Sequence, residues 1–339
     1  MYAMAAINSD HTDRMLKLVS RSFAICIPRL PKKVRSEIGN FYLLCRYADS
    51  IEDSMLDYRQ KKHYYRLFRR VVQSEDFGQL QNLSKEVLPY ILSDNDKELV
   101  SGFDKVLKQY SSFDDKSKSI ALHWLLEMTR GMLKYSRKEI RNFLELDNYC
   151  YYVAGTVGHY LTEIFDHKFE LNCYDELLSR ARDFGMLLQK VNIIRDFAKD
   201  YREGRVFWPK ELFEKHNINV DEVFLPENRE KSNLILKEMV ESAEKNVKSS
   251  IEYIEKLPPE LQGVRVFCAI PLYMAIPTLL KCYGNEEVFD MHKKVKLSKT
   301  ETFRILTTID MKIYSNELLR EYATELNNEF NPSMQLHIA

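Results

Sequence analysis

Glycine and proline are scarce in this sequence, with 10 of each among 339 residues. Because these residues mark turns and breaks, their scarcity predicts long regular elements and argues against a fold of many short strands. Apolar residues recur at spacings of three and four along most of the chain, and no segment alternates convincingly between apolar and polar residues. The sequence therefore predicts an all-α fold. Since no low-complexity linker divides the chain, we expect a single domain over residues 1–339.

The apolar periodicity also predicts where the helices lie. They are expected at about 10–27, 32–56, 59–74, 96–111, 116–135, 139–167, 174–203, 228–256, 259–284 and 300–327. Residues 327–339 are predicted to form a polar C-terminal tail.

An excess of positive charge is missing, because 50 basic residues balance 50 acidic residues. Such a chain has no overall field that attracts nucleic acid, so no nucleic-acid partner is expected. The strongest local exception is Tyr58–Arg70, which interleaves basic and aromatic residues. This segment could stack bases, but its period fits an amphipathic helix with Tyr65 and Phe68 facing inward. We favour a solvated helix face.

The six cysteines include no CxxC pair, and no His/Cys cluster has zinc spacing. All but Cys173 lie in apolar helical contexts, where a free thiol behaves as a small hydrophobe. A reducing cytosol suits such thiols, and the N-terminal segment lacks the basic start and apolar stretch of a signal peptide. We therefore expect a cytoplasmic protein.

Long apolar runs are few as well. The longest, Val266–Leu280, is shorter than the roughly 20 residues that cross a bilayer, and it contains Pro271 and Pro277. A kinked, buried helix fits this run better than a transmembrane anchor does. The polar end at residues 327–339 offers no anchor either. The sequence leaves peripheral contact with a membrane open, and a monomer is the expected state.

Two short acidic segments carry most of the functional information, Tyr42–Asp53 and Gln189–Asp200. At about 3.6 residues per turn each segment forms a stripe on a helix. The first stripe holds Tyr42, Arg46, Asp49 and Asp53, with Glu52 close to it; the second holds Gln189, Asn192, Asp196 and Asp200, with Arg195 just off it. Stacked carboxylates repel one another unless a cation lies between them. Mg²⁺ suits this position, because it binds carboxylate oxygens and bridges them to substrate phosphates. Apolar flanking residues favour this interpretation over a solvated helix face, because buried carboxylates need partners.

Two further segments place polar groups in apolar surroundings. Ser20-Arg21-Ser22-Phe23 offers an Arg and two hydroxyls, which suit phosphate oxygens or a helix cap. The segment Tyr149–Gly158 combines phenols with small residues. Its Gly155 and Gly158 most simply allow close helix packing, whereas its phenols could pack, stabilise a cation or relay a proton.

These four segments, in this order, resemble the motifs of the squalene/phytoene synthase family of head-to-head prenyl synthases, and the resemblance covers about residues 20–306. Later segments are more similar to the squalene-forming branch than to the carotenoid branch. They are Arg205–Pro209, Phe267–Pro271, Met274–Ile276, Lys281–Tyr283, Val288-Phe289 and Val295–Lys299.

The resemblance implies an isoprenoid-synthase-type bundle of antiparallel helices around a central cavity. It also implies a Mg²⁺-dependent condensation of two farnesyl diphosphates to presqualene diphosphate, followed by NADPH-dependent reductive rearrangement to squalene. One alternative within the family stops at dehydrosqualene, phytoene or presqualene diphosphate without a reductant. An alternative of another class is a noncatalytic helical protein that binds prenyl lipids.

The resemblance also implies residue roles. It assigns diphosphate binding to Ser20, Arg21, Ser22, Tyr42, Arg46, Gln189, Asn192, Arg195 and Arg205. Metal binding falls to Asp49, Glu52, Asp53, Asp196 and Asp200, so that these aspartates serve catalysis together with Tyr149, which assists the first step. Phe23 and Phe267 would line the cavity. One departure is Lys199, which stands where this family commonly has a Glu and which cannot ligate a metal while protonated.

The cofactor prediction depends on a basic stretch, His292–Lys299, because no GxGxxG follows a strand. Its Lys294, Lys296 and Lys299 could bind the 2′-phosphate of NADPH. Composition alone favours a solvated loop, and the squalene-type pattern around the stretch reverses that preference.

Overall fold

The computed structural model describes residues 2–20, 22–334 and 336–338, with the side chains of the first helix described from His11 onward. Within those ranges the regular elements are all helical, so the predicted all-α class is confirmed. The α-helices are α1 Tyr2–Val19, α2 Phe23–Cys26, α3 Lys32–Glu52, α4 Tyr58–Ser74, α5 Phe77–Val87, α6 Asp94–Ser101, α7 Phe103–Tyr110, α8 Asp115–Tyr135, α9 Phe143–Cys150, α10 Thr156–Phe169, α11 Tyr174–Arg195, α12 Phe197–Arg202, α13 Lys210–Lys215, α14 Arg229–Glu244, α15 Val247–Lys256, α16 Gln262–Cys282, α17 Lys299–Lys312 and α18 Asn316–Phe330.

The chain forms two compact units: unit 1 comprises Met1–Arg137 with His159–Tyr174, and unit 2 comprises Lys138–Gly158 with Asp175–Ala339. Both units therefore contain two separate stretches of the sequence. The predicted single domain and its central cavity stay predictions.

Unit 1 is built around α3, whose inner face is apolar over five turns. The ring of Tyr47 packs on Phe68 of α4 and on Phe103 of α7, with centroids 4.6 and 4.3 Å apart. Stacked and tilted rings of this kind contribute beyond the area that they bury. Tyr65 and Phe68 are fully buried, which confirms the predicted inward face of α4. This core fixes the direction in which the opposite, polar stripe of α3 points.

Unit 2 is built around α16, in which nearly every side chain is buried. Arg265 lies 1% exposed in this helix and donates hydrogen bonds to the carbonyls of Leu257 and Ile313 and to the Asn316 side chain. By length and hydropathy α16 alone among the described helices could cross a membrane, but 83% of its apolar window is buried inside the protein. That burial confirms the prediction of a buried core helix for Val266–Leu280.

Close helix packing in unit 2 depends on two glycines. A Cβ atom on Gly158 would lie 2.2 Å from the carbonyl oxygen of Ala181, and one on Gly185 would lie 2.2 Å from that of Ala154. Neither position can hold a larger residue without moving the backbone. The predicted packing role of Gly158 is thereby confirmed, and Gly185 is a second close-packing glycine that the sequence did not reveal.

Several predicted helix boundaries are wrong, and the reasons are local. The predicted helix 139–167 consists of α9, a π-helical turn at Tyr151–Gly155 and α10. The predicted helix 96–111 breaks at Gly102, and the predicted helix 300–327 breaks where Ser315 caps α18. Helix α5 was not predicted, although Asp76 caps it by accepting the Gln79 N–H. Short helices with their own caps resemble loops in a periodicity search.

Candidate active site

The first acidic stripe lies on the polar side of α3 in unit 1. Tyr42, Arg46 and Asp49 follow one another by about one turn, and Asp53 closes the helix with its N–H on the Asp49 carbonyl at 2.8 Å. Glu52 is the last residue of the helix and is half-buried, whereas Asp53 is exposed. The structure therefore brings together all the residues that the first stripe predicts.

Asp49 is the most perturbed carboxyl group of this stripe. Burial and the like charges of Asp53 and Asp96 raise the pKa of Asp49 to about 7, against the opposing effect of the Arg46 guanidinium. Arg46 directs its hydrogen bonds elsewhere, because its Nε and Nη2 each lie 2.8 Å from an oxygen of Asp96. The metal-free stripe is thus short of positive charge at Asp49.

The segment before α2 contacts this stripe through Ser20. The Oγ of Ser20 accepts the N–H of Phe23 at 3.0 Å, which is the capping role that the sequence left open. The Phe23 ring lies 5.0 Å from the Tyr42 ring, and burial raises the pKa of the Tyr42 phenol while a hydrogen bond with Ser20 opposes that shift. Ser22 is exposed at the start of α2. Arg21 lies outside the described residues.

The second acidic stripe lies in unit 2, where α11 ends and α12 begins. Asp196 occupies the junction and Asp200 follows one turn later, so the predicted helix 174–203 is divided at this point. Earlier on the stripe Gln189 is half-buried and Asn192 is exposed. Asp196 and Asp200 therefore lie beyond the end of α11, although the Asp196 N–H still donates to the Asn192 carbonyl at 2.9 Å.

Three cations surround the carboxylates of the second stripe. Arg195 donates from Nε and Nη2 to Asp196 at 3.0 and 2.6 Å, and the Nζ of Lys294 lies 2.7 Å from the same carboxylate. Burial opposes ionisation of Asp196, but these two partners outweigh it and hold its pKa below the ordinary value. Asp200 receives Arg205 at 3.2 Å. Burial nevertheless raises the pKa of Asp200.

Two of the aromatic residues predicted for the site, Tyr149 and Phe267, are buried in unit 2. Tyr149 is 3% exposed in α9, and its ring stacks on Phe207 with centroids 4.8 Å apart and planes 13° apart. It lies two residues before the π-helical turn, a feature that often accompanies functional positions. Phe267 is 2% exposed in α16. Phe207 is the aromatic partner that sequence reasoning missed.

The three lysines predicted to bind NADPH differ in their surroundings. Lys294 contacts Asp196, whereas Lys296 is exposed and Lys299 is an exposed first residue of α17 behind the Ser298 cap. The predicted cofactor lysine Lys294 is therefore a neighbour of the second acidic stripe. Lys199, the departure from the family pattern, is exposed with its Nζ 3.6 Å from Glu203.

Sequence reasoning missed two buried charged residues, one bonded to the first stripe and one on the helix that carries the second. Asp96 is 4% exposed and holds Arg46, but in the sequence it looks like an ordinary acid in the first turn of a helix. Lys190 is 3% exposed, and its Nζ contacts Asp147 at 2.7 Å and the Ser242 carbonyl at 3.0 Å. A lysine on the apolar stripe of α11 was the available signal, because such a charge requires buried partners.

The donor set of α3 suits a hard divalent cation. Asp49, Glu52 and Asp53 offer only carboxylate oxygens, and Arg46 only partly offsets the charge of Asp49. Among residues 2–20, 22–334 and 336–338 no three His, Cys, Asp or Glu side chains gather closely enough to hold a metal alone. Mg²⁺ usually takes one or two carboxylates and completes its shell with phosphate oxygens and water. The arrangement therefore suits a metal that arrives with a diphosphate.

A family model described as squalene/phytoene synthase matches residues 16–301. The squalene synthase of Schizosaccharomyces pombe is 31% identical over 329 residues, which cover 94% of this chain and 69% of that protein. The human squalene synthase is 30% identical over 297 residues, covering 87% of this chain and 68% of that protein. The chain belongs to the squalene/phytoene synthase family.

Solved structures agree with this membership. The complex of TcSQS with a ligand matches with a TM-score of 0.84 at 27% identity, covering 98% of this chain and 94% of that chain. A dehydrosqualene synthase structure matches with a TM-score of 0.60 at 18% identity, which supports the fold alone. The predicted family and the predicted prenyltransferase class are confirmed, and the squalene synthase prediction is favoured over its alternatives.

Proposed function

We propose that this protein condenses two farnesyl diphosphates head to head with Mg²⁺ and then reduces the presqualene diphosphate to squalene with NADPH. The observation that carries the proposal is the electrostatic state of Asp49, a carboxyl group whose pKa is raised to about 7 inside an acidic stripe. Groups with such perturbed pKa values concentrate at functional sites. We infer the substrate, farnesyl diphosphate, from the similarity of this chain to squalene synthases.

In the first ionisation, Asp49 and Asp53 would hold Mg²⁺, with Glu52 beside them. When bound, the metal neutralises the charge of the departing diphosphate. Arg46 and Tyr42 lie on the same stripe, so their N–H and O–H groups can bond the same diphosphate oxygens. The Arg46 pair with Asp96 orients the guanidinium before substrate arrives, which lowers the reorganisation needed during the reaction.

The second stripe supplies cations as well as carboxylates. Asp196 and Asp200 would hold metal, while Arg195, Arg205 and Lys294 would bond diphosphate oxygens. Gln189 and Asn192 lie on the same helix and add neutral polar groups. We assign Lys294 to this task in addition to cofactor binding, since its Nζ already lies beside Asp196.

The carbon skeleton needs apolar and aromatic surroundings. A carbocation survives only where water is excluded and aromatic faces are available. Tyr149 and Phe207 provide stacked rings in unit 2, where Phe267 is also buried, and in unit 1 the Phe23 ring lies beside Tyr42. The Tyr149 phenol would assist the step in which a proton leaves and the cyclopropane closes.

The reductive half requires NADPH, which supplies hydride when bound. Lys296 and Lys299 present exposed ammonium groups on either side of the Ser298 cap, and Lys294 precedes them. These groups suit the 2′-phosphate. We further propose a cytoplasmic monomer that contacts membranes peripherally.

Product analysis tests the proposal. The protein is incubated with farnesyl diphosphate and Mg²⁺, with and without NADPH, and the organic phase is analysed. Squalene formed only with NADPH is the expected result. Dehydrosqualene or presqualene diphosphate under both conditions would remove the reductive half and keep the condensation. An absence of product would overturn the substrate assignment and direct the assay to geranylgeranyl diphosphate. Asp49→Asn serves as the inactive variant and the exposed Asp115→Asn as its matched control.

A further inference from the structure

Helix α4 exposes an unbroken basic face. Six of its residues are Lys or Arg, and its sequence contains no Asp or Glu. The exposed side chains lie three and four residues apart, so they share one face about 20 Å long. They are Arg59, Lys62, His63, Arg66, Arg70 and Gln73. Because the whole chain has a formal net charge of zero, this concentration of positive charge is local.

The C-terminal half of α8 extends this face. Arg130 and Lys134 are exposed there, Arg137 is exposed two residues beyond the end of α8, and α8 contacts α4 through the hydrogen bond from Arg69 Nε to Thr129 at 2.7 Å. We call the exposed cations of α4 and of this half of α8 the basic face. Acids border it on several sides: Asp57 and Glu75 cap the two ends of α4, Glu127 lies 3.5 Å from Arg130, and Glu86 of α5 lies near Tyr64. None interrupts the row on α4.

A buried nitrogen within the basic face has no acceptor. The Nη2 atom of Arg69 is inaccessible to water and makes no hydrogen bond, although its Nε reaches Thr129. Burial lowers the pKa of Arg69, and the like charges of Arg130 and Arg66 lower it further. An anionic oxygen placed among these three guanidinium groups would satisfy the nitrogen and relieve the repulsion.

Three of the four aromatic residues of α4 are unavailable to stack bases, and the fourth, Tyr64, is half-buried beside the His63 ring. Tyr65 and Phe68 are fully buried, and the ring of Tyr58 is covered by the Arg137 guanidinium at 3.8 Å. Single-stranded nucleic acid binds through stacking as well as charge, so this surface offers only half of what such a ligand uses. Phosphate groups presented on a surface require only the charge.

Apolar side chains are exposed next to the start of α4. Met55 is 72% exposed and Leu92 is 64% exposed. Their loops touch, because the N–H of Met55 donates to the carbonyl of Tyr90 at 3.0 Å. Exposed apolar groups beside a basic helix face are the combination found in segments that lie on a lipid surface.

We propose that the basic face, with Met55 and Leu92 at its edge, docks unit 1 onto a membrane that carries anionic phospholipids. Each basic residue near such a surface adds attraction that salt screens. The docking would place the first acidic stripe near lipid, since Asp53 precedes α4 by five residues. The proposed insoluble product gives the docking a purpose, and the docking itself depends only on the basic face.

Vesicle sedimentation of the full chain tests this docking. Vesicles of phosphatidylcholine alone are compared with vesicles that also contain phosphatidylglycerol, at low and at high salt. We expect binding only to the anionic vesicles and release at high salt. The double variant Lys62→Glu/Arg66→Glu should bind more than about 25-fold more weakly, because the loss of each cation costs about fivefold and the added carboxylates repel the anionic surface. The matched control Lys108→Glu/Lys245→Glu reverses two exposed cations that do not belong to the basic face and should bind within about twofold of the unchanged protein.

Equal binding to neutral vesicles, or equal loss in both double variants, would overturn the proposal. Tighter binding to single-stranded RNA than to anionic vesicles at the same salt would also overturn it. Squalene formation in detergent should be the same in both double variants, because neither touches the acidic stripes. A failed product assay with intact vesicle binding would reject the proposed function and leave the docking standing.

Discussion

The acidic stripe of α3 and the acidic stripe of α11 and α12 use the same residue types, but Asp49 of the first and Asp196 of the second reach opposite electrostatic states. In α3 the arginine of the stripe, Arg46, donates its hydrogen bonds to Asp96, an acid outside the stripe, and the pKa of Asp49 is raised to about 7. At the junction before α12, Arg195 and Lys294 both contact Asp196, and its pKa is lowered. The difference teaches that a spacing pattern fixes which residues share a face, whereas their charge state depends on partners from distant segments.

The two stripes consequently suit different parts of one task. A carboxylate short of positive charge gains most from a divalent cation, while a carboxylate that already has cationic neighbours holds those neighbours in place for an anion. We therefore expect metal to shift Asp49 toward its ionised state at neutral pH, where a pKa of about 7 leaves it partly protonated, and Asp196 to be ionised without metal.

The largest expected effect is on turnover. Asp49→Asn and Asp196→Asn should each lower squalene formation by about 100-fold or more, because each removes a charge that positions metal or cations at the leaving group. Product formation from farnesyl diphosphate at saturating Mg²⁺ measures this, with Asp115→Asn as the exposed control. Unchanged turnover in Asp196→Asn would show that the cations of the second stripe act without their carboxylate.

The sharpest contrast concerns stability without metal at pH 8. Asp49→Asn should raise the free energy of unfolding by about 3 kcal/mol, since it removes a charge that burial disfavours. Asp196→Asn should lower it by about 2 kcal/mol, because Arg195 and Lys294 would then face each other without a carboxylate. Urea unfolding in a chelator measures both. Changes of the same sign would remove the distinction between the stripes.

The pH dependence follows from the direction of each shift. The folded protein binds a proton on Asp49 more tightly than the unfolded chain does, so its contribution to stability falls as pH rises from about 4 to about 7. The advantage of Asp49→Asn should therefore be about 2 kcal/mol larger at pH 8 than at pH 5. The contribution of Asp196 is present above about pH 4 and is lost only as pH falls through its lowered pKa.

The deficit of Asp196→Asn should accordingly be the same at pH 5 and at pH 8. Urea midpoints of both variants and of the unchanged protein at the two pH values provide this comparison. A deficit that changes between them would mean that Asp196 titrates in the range assigned to Asp49.

The smallest expected effect separates the lysines of the basic stretch. Lys294→Gln should slow presqualene diphosphate formation about tenfold without NADPH, because the ammonium group then no longer lies beside Asp196. Lys296→Gln should leave that step unchanged and raise the KM for NADPH about threefold. Initial rates with and without the reductant measure both. If both variants changed only the KM for NADPH, and by the same factor, Lys294 would serve cofactor binding alone.

Much of the fold was available from the sequence, because long amphipathic helices repeat one pattern over many turns. The stripe of α3 and the buried helix α16 were predicted on those grounds. The breaks inside predicted helices were not, since Gly102 and the π-helical turn at Tyr151–Gly155 change the path of the chain without changing its apolar period.

The candidate site was predictable in its residues and not in its pairing. Spacing alone placed Asp49 with Arg46, but the partner that Arg46 binds, Asp96, comes from 50 residues away. Likewise Lys294 reaches Asp196 across almost a hundred positions of sequence. Long-range ion pairs of this kind leave no periodic trace, so the charge state of each stripe required the structure.

The division of unit 1 into two stretches has a consequence for how the protein is made. The stretch His159–Tyr174 completes unit 1, with the Tyr160 ring stacked on Phe41 and the Lys168 ammonium on Glu37 and Asp114. A nascent chain that has left the ribosome only as far as Arg137 lacks these partners and must wait for a later segment before its first core closes. During that interval the chain exposes apolar helix faces, and it is then that a chaperone would encounter them.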